Sequence, residues 1–165
     1  MLAFDIETMG LSMHHHEITV AAVYDPTKGI RHCYNFYRHR HDRTRWQREV
    51  DDFLRTLDEA RTLCTFNGIR FDIPFIQTQF KVDPERVGRW VLKTVDLFHR
   101  WKLLRDHTFS LDKLLIANGL PVKTSKGCFA IDMARQQRWD ELEDYCMNDT
   151  VLTHLVSSKE RLVIP

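Results

Sequence analysis

Leu2 to Ile6 is a short, mostly apolar run that leads into a turn at Gly10, the pattern of a buried strand. Ile18 to Tyr24 is rich in β-branched and aromatic positions and predicts a second strand. The Asp25-Pro26-Thr27-Lys28-Gly29 turn then returns the chain into a third, from Ile30 to Tyr37. Between Thr44 and Ala60 the period changes. Trp46, Val50, Phe53, Leu54 and Leu57 fall on one helical stripe, with Arg and Asp on the other side. Thr62 to Phe66 predicts a fourth strand with Asn67-Gly68 as its exit, and Val91 to Val95 a fifth. Asp72 is placed to cap a helix that carries Pro74 in its first turn. Ser110 caps a helix from Leu111 to Asn118 that ends at Gly119, and a long helix runs from Asp140 to about Glu160. Leu142, Cys146, Leu152, Leu155 and Val156 are its apolar positions. An antiparallel meander followed by alternating helices and strands predicts an α/β domain with a mixed central sheet.

At 165 residues the chain is expected to form one domain over 1–165. Apolar residues at 43% and charged residues at 28% exclude a disordered chain. Lys plus Arg (24) and Asp plus Glu (23) nearly cancel, so bulk charge gives no argument for a polyanion partner. It leaves room for a local basic face, and Arg31, Arg38, Arg40, Arg43, Arg45 and Arg48 are opposed over that interval only by Asp42. This stretch reads equally as a phosphate track or as a solvated surface. The four cysteines form no CxxC pair, which argues against a disulfide framework or a structural zinc site. With no apolar run approaching 18 residues and no signal-peptide pattern, the expectation is a soluble protein of the cytoplasm or nucleus, neither secreted nor tied to a membrane. His14-His15-His16 reads as a surface loop.

The candidate chemistry lies in the carboxylates. Asp5 and Glu7 are two apart on a strand, so both project from one face and can reach one cation. Asp72 by itself is no more than a helix cap. Tyr145 and Asp149 are four apart on a helix and share a face.

Together these segments resemble a known family. Phe4-Asp5-Ile6-Glu7-Thr8, Asn67-Gly68-Ile69-Arg70-Phe71-Asp72 and Tyr145-Cys146-Met147-Asn148-Asp149 are similar, in order, to the three motifs of the DEDD 3′–5′ exonucleases. The Tyr-x-x-x-Asp form of the third resembles the DEDDy branch. The wording of the second is most similar to the proofreading domains of family B DNA polymerases. Thr94 to Leu97, Ser110 to Leu115 and Leu120 to Lys123 resemble that family's connecting segments.

The resemblance implies a ribonuclease-H-like α/β fold: a five-stranded mixed sheet, three strands antiparallel, with helices on both faces. It implies a hydrolase that removes nucleoside 5′-monophosphates from 3′ ends with two divalent cations, Mg²⁺ or Mn²⁺. Asp5, Glu7 and Asp149 would hold one ion, and Asp5 would bridge to a second held by Asp72. Tyr145 would orient the attacking water. Thr8, Met9 and Leu11 would meet the terminal nucleotide. Phe71 stacks on the next base or joins the core, and Asn67 contacts the sugar or closes its turn. Lys123 and Lys126, in the basic loop Pro121 to Gly127, are candidates for phosphate contacts. The sequence includes no strand-separating domain, so single-stranded 3′ ends are the expected substrate, DNA ahead of RNA. An exoribonuclease and a catalytically silent nucleic-acid-binding module are the alternatives.

Overall fold

The computed structural model describes residues 1–99, 102, 109–122 and 128–165. Its centre is a five-stranded sheet in the order β3-β2-β1-β4-β5. These are β1 (Leu2–Thr8), β2 (Ile18–Asp25), β3 (Ile30–Tyr34), β4 (Leu63–Thr65) and β5 (Thr94–Asp96). β1 pairs antiparallel with β2 and β2 with β3, while β1–β4 and β4–β5 are parallel. The turn between β2 and β3 is closed by Asp25, whose Oδ1 accepts from the Thr27 amide at 3.0 Å, and by Gly29 at φ +66°.

Alternation along β1 sorts its side chains. Leu2, Phe4 and Ile6 enter a core with α1 (Arg43–Glu59), α2 (Asp72–Phe80) and α3 (Pro84–Leu92), where Phe53, Phe75 and Trp90 are fully buried. Ala3 faces the opposite layer, built from α4 (Leu111–Ala117), α5 (Cys128–Arg135) and α6 (Trp139–Ser157). Asp5 and Glu7 follow Ala3 in parity and lie on the α6 side. The expected fold class and the helices on both faces are what the chain adopts. No helix among the described residues is long and apolar enough to cross a membrane.

Several boundaries differ from the sequence pattern. β3 stops at Tyr34, not Tyr37, because the chain enters a turn at Phe36, with the Tyr37 amide still bonded to the Thr19 carbonyl of β2. Val91 and Leu92 finish α3 rather than open β5, which begins at Thr94. α3 and α5 have no counterpart in the pattern reading. For α3 the signal was present: Asp83 accepts from the amides of Glu85 and Arg86, with Pro84 in the first turn. Leu155 is 41% exposed and is not a core position. Asp72 is not a cap. Phe71 occupies that position without a side-chain bond, and the Asp72 carboxylate is used elsewhere.

Candidate functional site

The sheet order creates an opening beside β1. β4 runs parallel to β1 only at Leu2–Leu63 and Ala3–Cys64, then ends at Thr65. The amide of Ile6 therefore has no strand partner on that side, and it donates instead to Asp72 Oδ1 at 3.1 Å. One residue either side of Ile6, Asp5 and Glu7 point towards α6. Across β2 they oppose Ala22 and Val20, which pack in one cluster with Tyr145 and Cys146. α6 lays Leu142, Tyr145, Cys146 and Asp149 along the face it presents to the sheet, all buried.

Two periodicities thus bring the carboxylates together, period two in β1 and four-residue spacing in α6. One ligand oxygen from each of Asp5, Glu7 and Asp149 lies within 4.8 Å of the others, although up to 144 positions separate them in the chain. Cation–oxygen bonds are about 2.0–2.6 Å, so oxygens at this spacing can share one ion. Three carboxylates are also the hard-oxygen donor set that Mg²⁺ or Mn²⁺ takes. The residues fit such an ion.

The electrostatics point the same way. Asp72 is 2% exposed, and its pKa lies well above the usual carboxylate value, first through burial and then through the neighbouring Asp5 charge. A cation beside the pair removes both penalties. Burial also raises the Tyr145 phenol, helped by the charges of Asp149, Glu7 and Asp5. Its hydroxyl, bonded to the Asp149 carboxylate, stays protonated at neutral pH and is a hydrogen-bond donor rather than a base. Cys146, packed under β1 with Sγ 3.6 Å from the Asp5 carbonyl oxygen, is likewise held as the neutral thiol by burial and by Asp5.

The acidic cluster opens into a cleft of about 290 Å³. Asp5, Glu7, Asp72, Tyr145 and Asp149 line it, as do Thr8, Leu11, Asn67 and Phe71. Leu11 stands on the rim, 85% exposed. Phe71 packs its ring 4.8 Å from that of Phe75 and also lines the cleft. Met9 is not brought to this lining; it packs against the α5–α6 layer and faces the groove next to it. Lys123 and Lys126 lie outside the described residues.

Sequence reasoning missed Phe66 and Ile131 on the cleft wall, and it missed what Asp96 does. Asp96 is buried and accepts from the amides of Asn67, Ile69, Phe98 and His99 at 2.9–3.0 Å. It fixes the turn in which Asn67 adopts φ +68°, and the carbonyls of Asn67 and Gly68 then accept from Phe71 and Ile73. Asp96 thereby sets where Asp72 begins α2. An acidic residue at the end of a strand was the only available signal.

The sequence profile of the RNase H superfamily matches residues 2–123. No curated protein matches the chain. Among solved structures, the family B DNA polymerase from the hyperthermophilic archaeon Pyrobaculum calidifontis is similar, with a TM-score of 0.68 at 18% sequence identity. The likeness covers 93% of this chain and 23% of the polymerase.

Proposed function

The chain belongs to the RNase H superfamily, and from that premise we propose that it is a two-metal-ion 3′–5′ exonuclease acting on single-stranded ends, DNA ahead of RNA. The observation that carries this reading is the convergence of Asp5, Glu7 and Asp149 within 4.8 Å at a cleft also lined by Asp72 and Tyr145. The order and wording of the three motifs supports the exonuclease branch.

Asp5, Glu7 and Asp149 would hold one divalent ion, and Asp5 with Asp72 the other. Bound there, the two ions supply charge neutralisation at the phosphate, a nucleophile near neutral pH and stabilisation of the leaving 3′ oxygen. The chain's own contribution is positional. Tyr145, protonated, would turn its single O–H from the Asp149 carboxylate to donate towards the attacking water or the scissile phosphate. Thr8 and Leu11 bound the space for the terminal nucleotide, and the exposed part of Phe71 offers a stacking surface that any base can use. Burial of Asp72 and Asp149 keeps bulk water from competing for their oxygens.

A digestion of matched DNA and RNA single strands, 5′-labelled and supplied with Mg²⁺ or Mn²⁺, tests this. The expected result is progressive shortening from the 3′ end with release of 5′-monophosphates, faster on DNA, and an intact circular strand. Cleavage of the circle, or shortening from the 5′ end, contradicts it.

A further inference from the structure

Beside the acidic cleft runs a second groove, of about 380 Å³, that has the opposite charge. Its lining includes Tyr37, Arg38, Arg40, His41, Arg135 and Trp139 and, among the described residues, no acidic one. Two elements join it to the cleft. Thr8 lines the cleft and Met9, the next residue, lines the groove, with Cα atoms about 3.8 Å apart. On α5, Ile131 lines the cleft and Ala134 the groove, three residues apart on one helical face. We propose that this groove holds the phosphate backbone of the single strand whose 3′ end occupies the acidic cleft, so that Arg40 and Arg135 are substrate-binding residues. The proposal rests on the exonuclease reading for its direction along the strand.

The wall of the groove is fixed in place. The Asn35 side chain, buried, accepts from the Arg38 amide at 3.0 Å and donates to Glu143 of α6 at 2.7 Å. Tyr37 donates its amide to the Thr19 carbonyl at 3.1 Å. The Arg40 guanidinium lies 3.7 Å from the centroid of the Tyr37 ring, and its Nε donates to His41 Nε2 at 3.1 Å. A guanidinium held over an aromatic ring in this way keeps its terminal N–H groups for phosphate. Trp139, 5.9 Å from Tyr37 between ring centroids, extends the aromatic floor. The competing ion pairs are weak: Arg38 meets the exposed Asp140 at 3.5 Å, and Arg135 meets Asp132 at 4.0 Å.

The rest of the arginine-rich stretch behaves differently. The wider depression between β3 and α1, about 800 Å³, sets Arg45, Arg48 and Arg55 against Glu49, Asp51 and Asp52. Arg45 pairs with Glu49 at 3.4 Å, and Arg55 pairs with Asp52 and Glu59. Its charges cancel, so it has little to offer a polyanion.

The test is equilibrium binding of a fluorescein-labelled oligodeoxythymidine about a dozen nucleotides long, read by anisotropy in EDTA over a series of salt concentrations. With hydrolysis stopped, the result is independent of whether the enzyme reading holds. R40A/R135A is expected to weaken binding about tenfold or more and to lower the salt slope by about 1.4, two contacts at 0.7 each. R45A/R48A is expected to bind as the wild type does. Unchanged melting temperatures verify that both variants fold; if either melts early, the glutamine pair R40Q/R135Q or R45Q/R48Q replaces it. Absence of binding by the wild type, equal loss in the two double variants, or an unchanged slope in R40A/R135A overturns the proposal. So does displacement of the oligonucleotide by poly-L-glutamate at equal charge concentration, which marks a general anion site.

Discussion

Asp72 is a carboxylate that the folded chain disfavours as an anion. It is buried beside Asp5, and its pKa is raised by that burial and by the Asp5 charge. A carboxyl with a raised folded pKa contributes stability that is fully present below its unfolded value and is lost as pH rises through the folded one. In metal-free buffer the protein is therefore expected to lose stability as the pH rises above the ordinary carboxylate range. Asp72→Asn keeps an oxygen for the Ile6 amide and removes the charge. It is expected to melt higher than the wild type at neutral pH in EDTA, by on the order of 1–3 kcal/mol, and to gain less from added Mn²⁺. Thermal melts across pH, with and without the ion, check both signs; a variant less stable than the wild type in EDTA contradicts the electrostatic account. The sequence presented Asp72 only as a cap, since nothing local shows that β4 ends two residues before the Ile6 amide needs it. Asp5 and Glu7 were legible because their spacing is the strand period itself.

At the scale of elements, the turn from β4 into α2 decides where Phe71 and Asp72 sit. Gly68 leaves no room for a side chain: a Cβ there would lie 2.3 Å from Thr65 Oγ1 and 2.5 Å from Thr65 Cγ2. Gly68→Ala must push the turn off Thr65 and strain the four-amide grip of Asp96. The expected cost is about 2 kcal/mol, or about 4–8 °C in Tm, with activity falling further because Asp72 moves. Thr65→Ala in the same chain removes the two closest clashes and is expected to recover part of the loss. Full stability in Gly68→Ala alone would contradict the tight turn. Helices with a clear apolar stripe, α1 and α6, were legible from their sequences. α5 was not, because its buried surface is made by Ala130 and Ala134, residues too small to mark a periodic pattern.

Across the whole molecule, the mixed sheet converts distance in sequence into proximity. The crossover that places β4 beside β1 leaves the C-terminal half of β1 open, and α6 returns across that opening with Tyr145 and Asp149. Motif order predicted this convergence, and the acidic triad needed only two local periods to be read. The basic groove was not readable in the same way. Arg38 and Arg40 were visible as part of a longer arginine run, but Arg135 and Trp139 join them only through the packing of α5 and α6. Charge counted along the chain could not separate them from Arg45 and Arg48, which share a depression with Glu49, Asp51 and Asp52 of α1. On the proposed reading, Asp5, Glu7 and Asp149, distant in the chain, act as one hydrolytic metal centre. The most direct test is the initial rate of hydrolysis of a 5′-labelled single strand by the wild type in Mn²⁺, in EDTA, and by Asp149→Ala in Mn²⁺. No hydrolysis is expected in EDTA, and Asp149→Ala is expected to lose more than the roughly 10–100-fold that removal of an outer partner costs. Undiminished hydrolysis in EDTA, or a near-wild-type rate in Asp149→Ala, would contradict it.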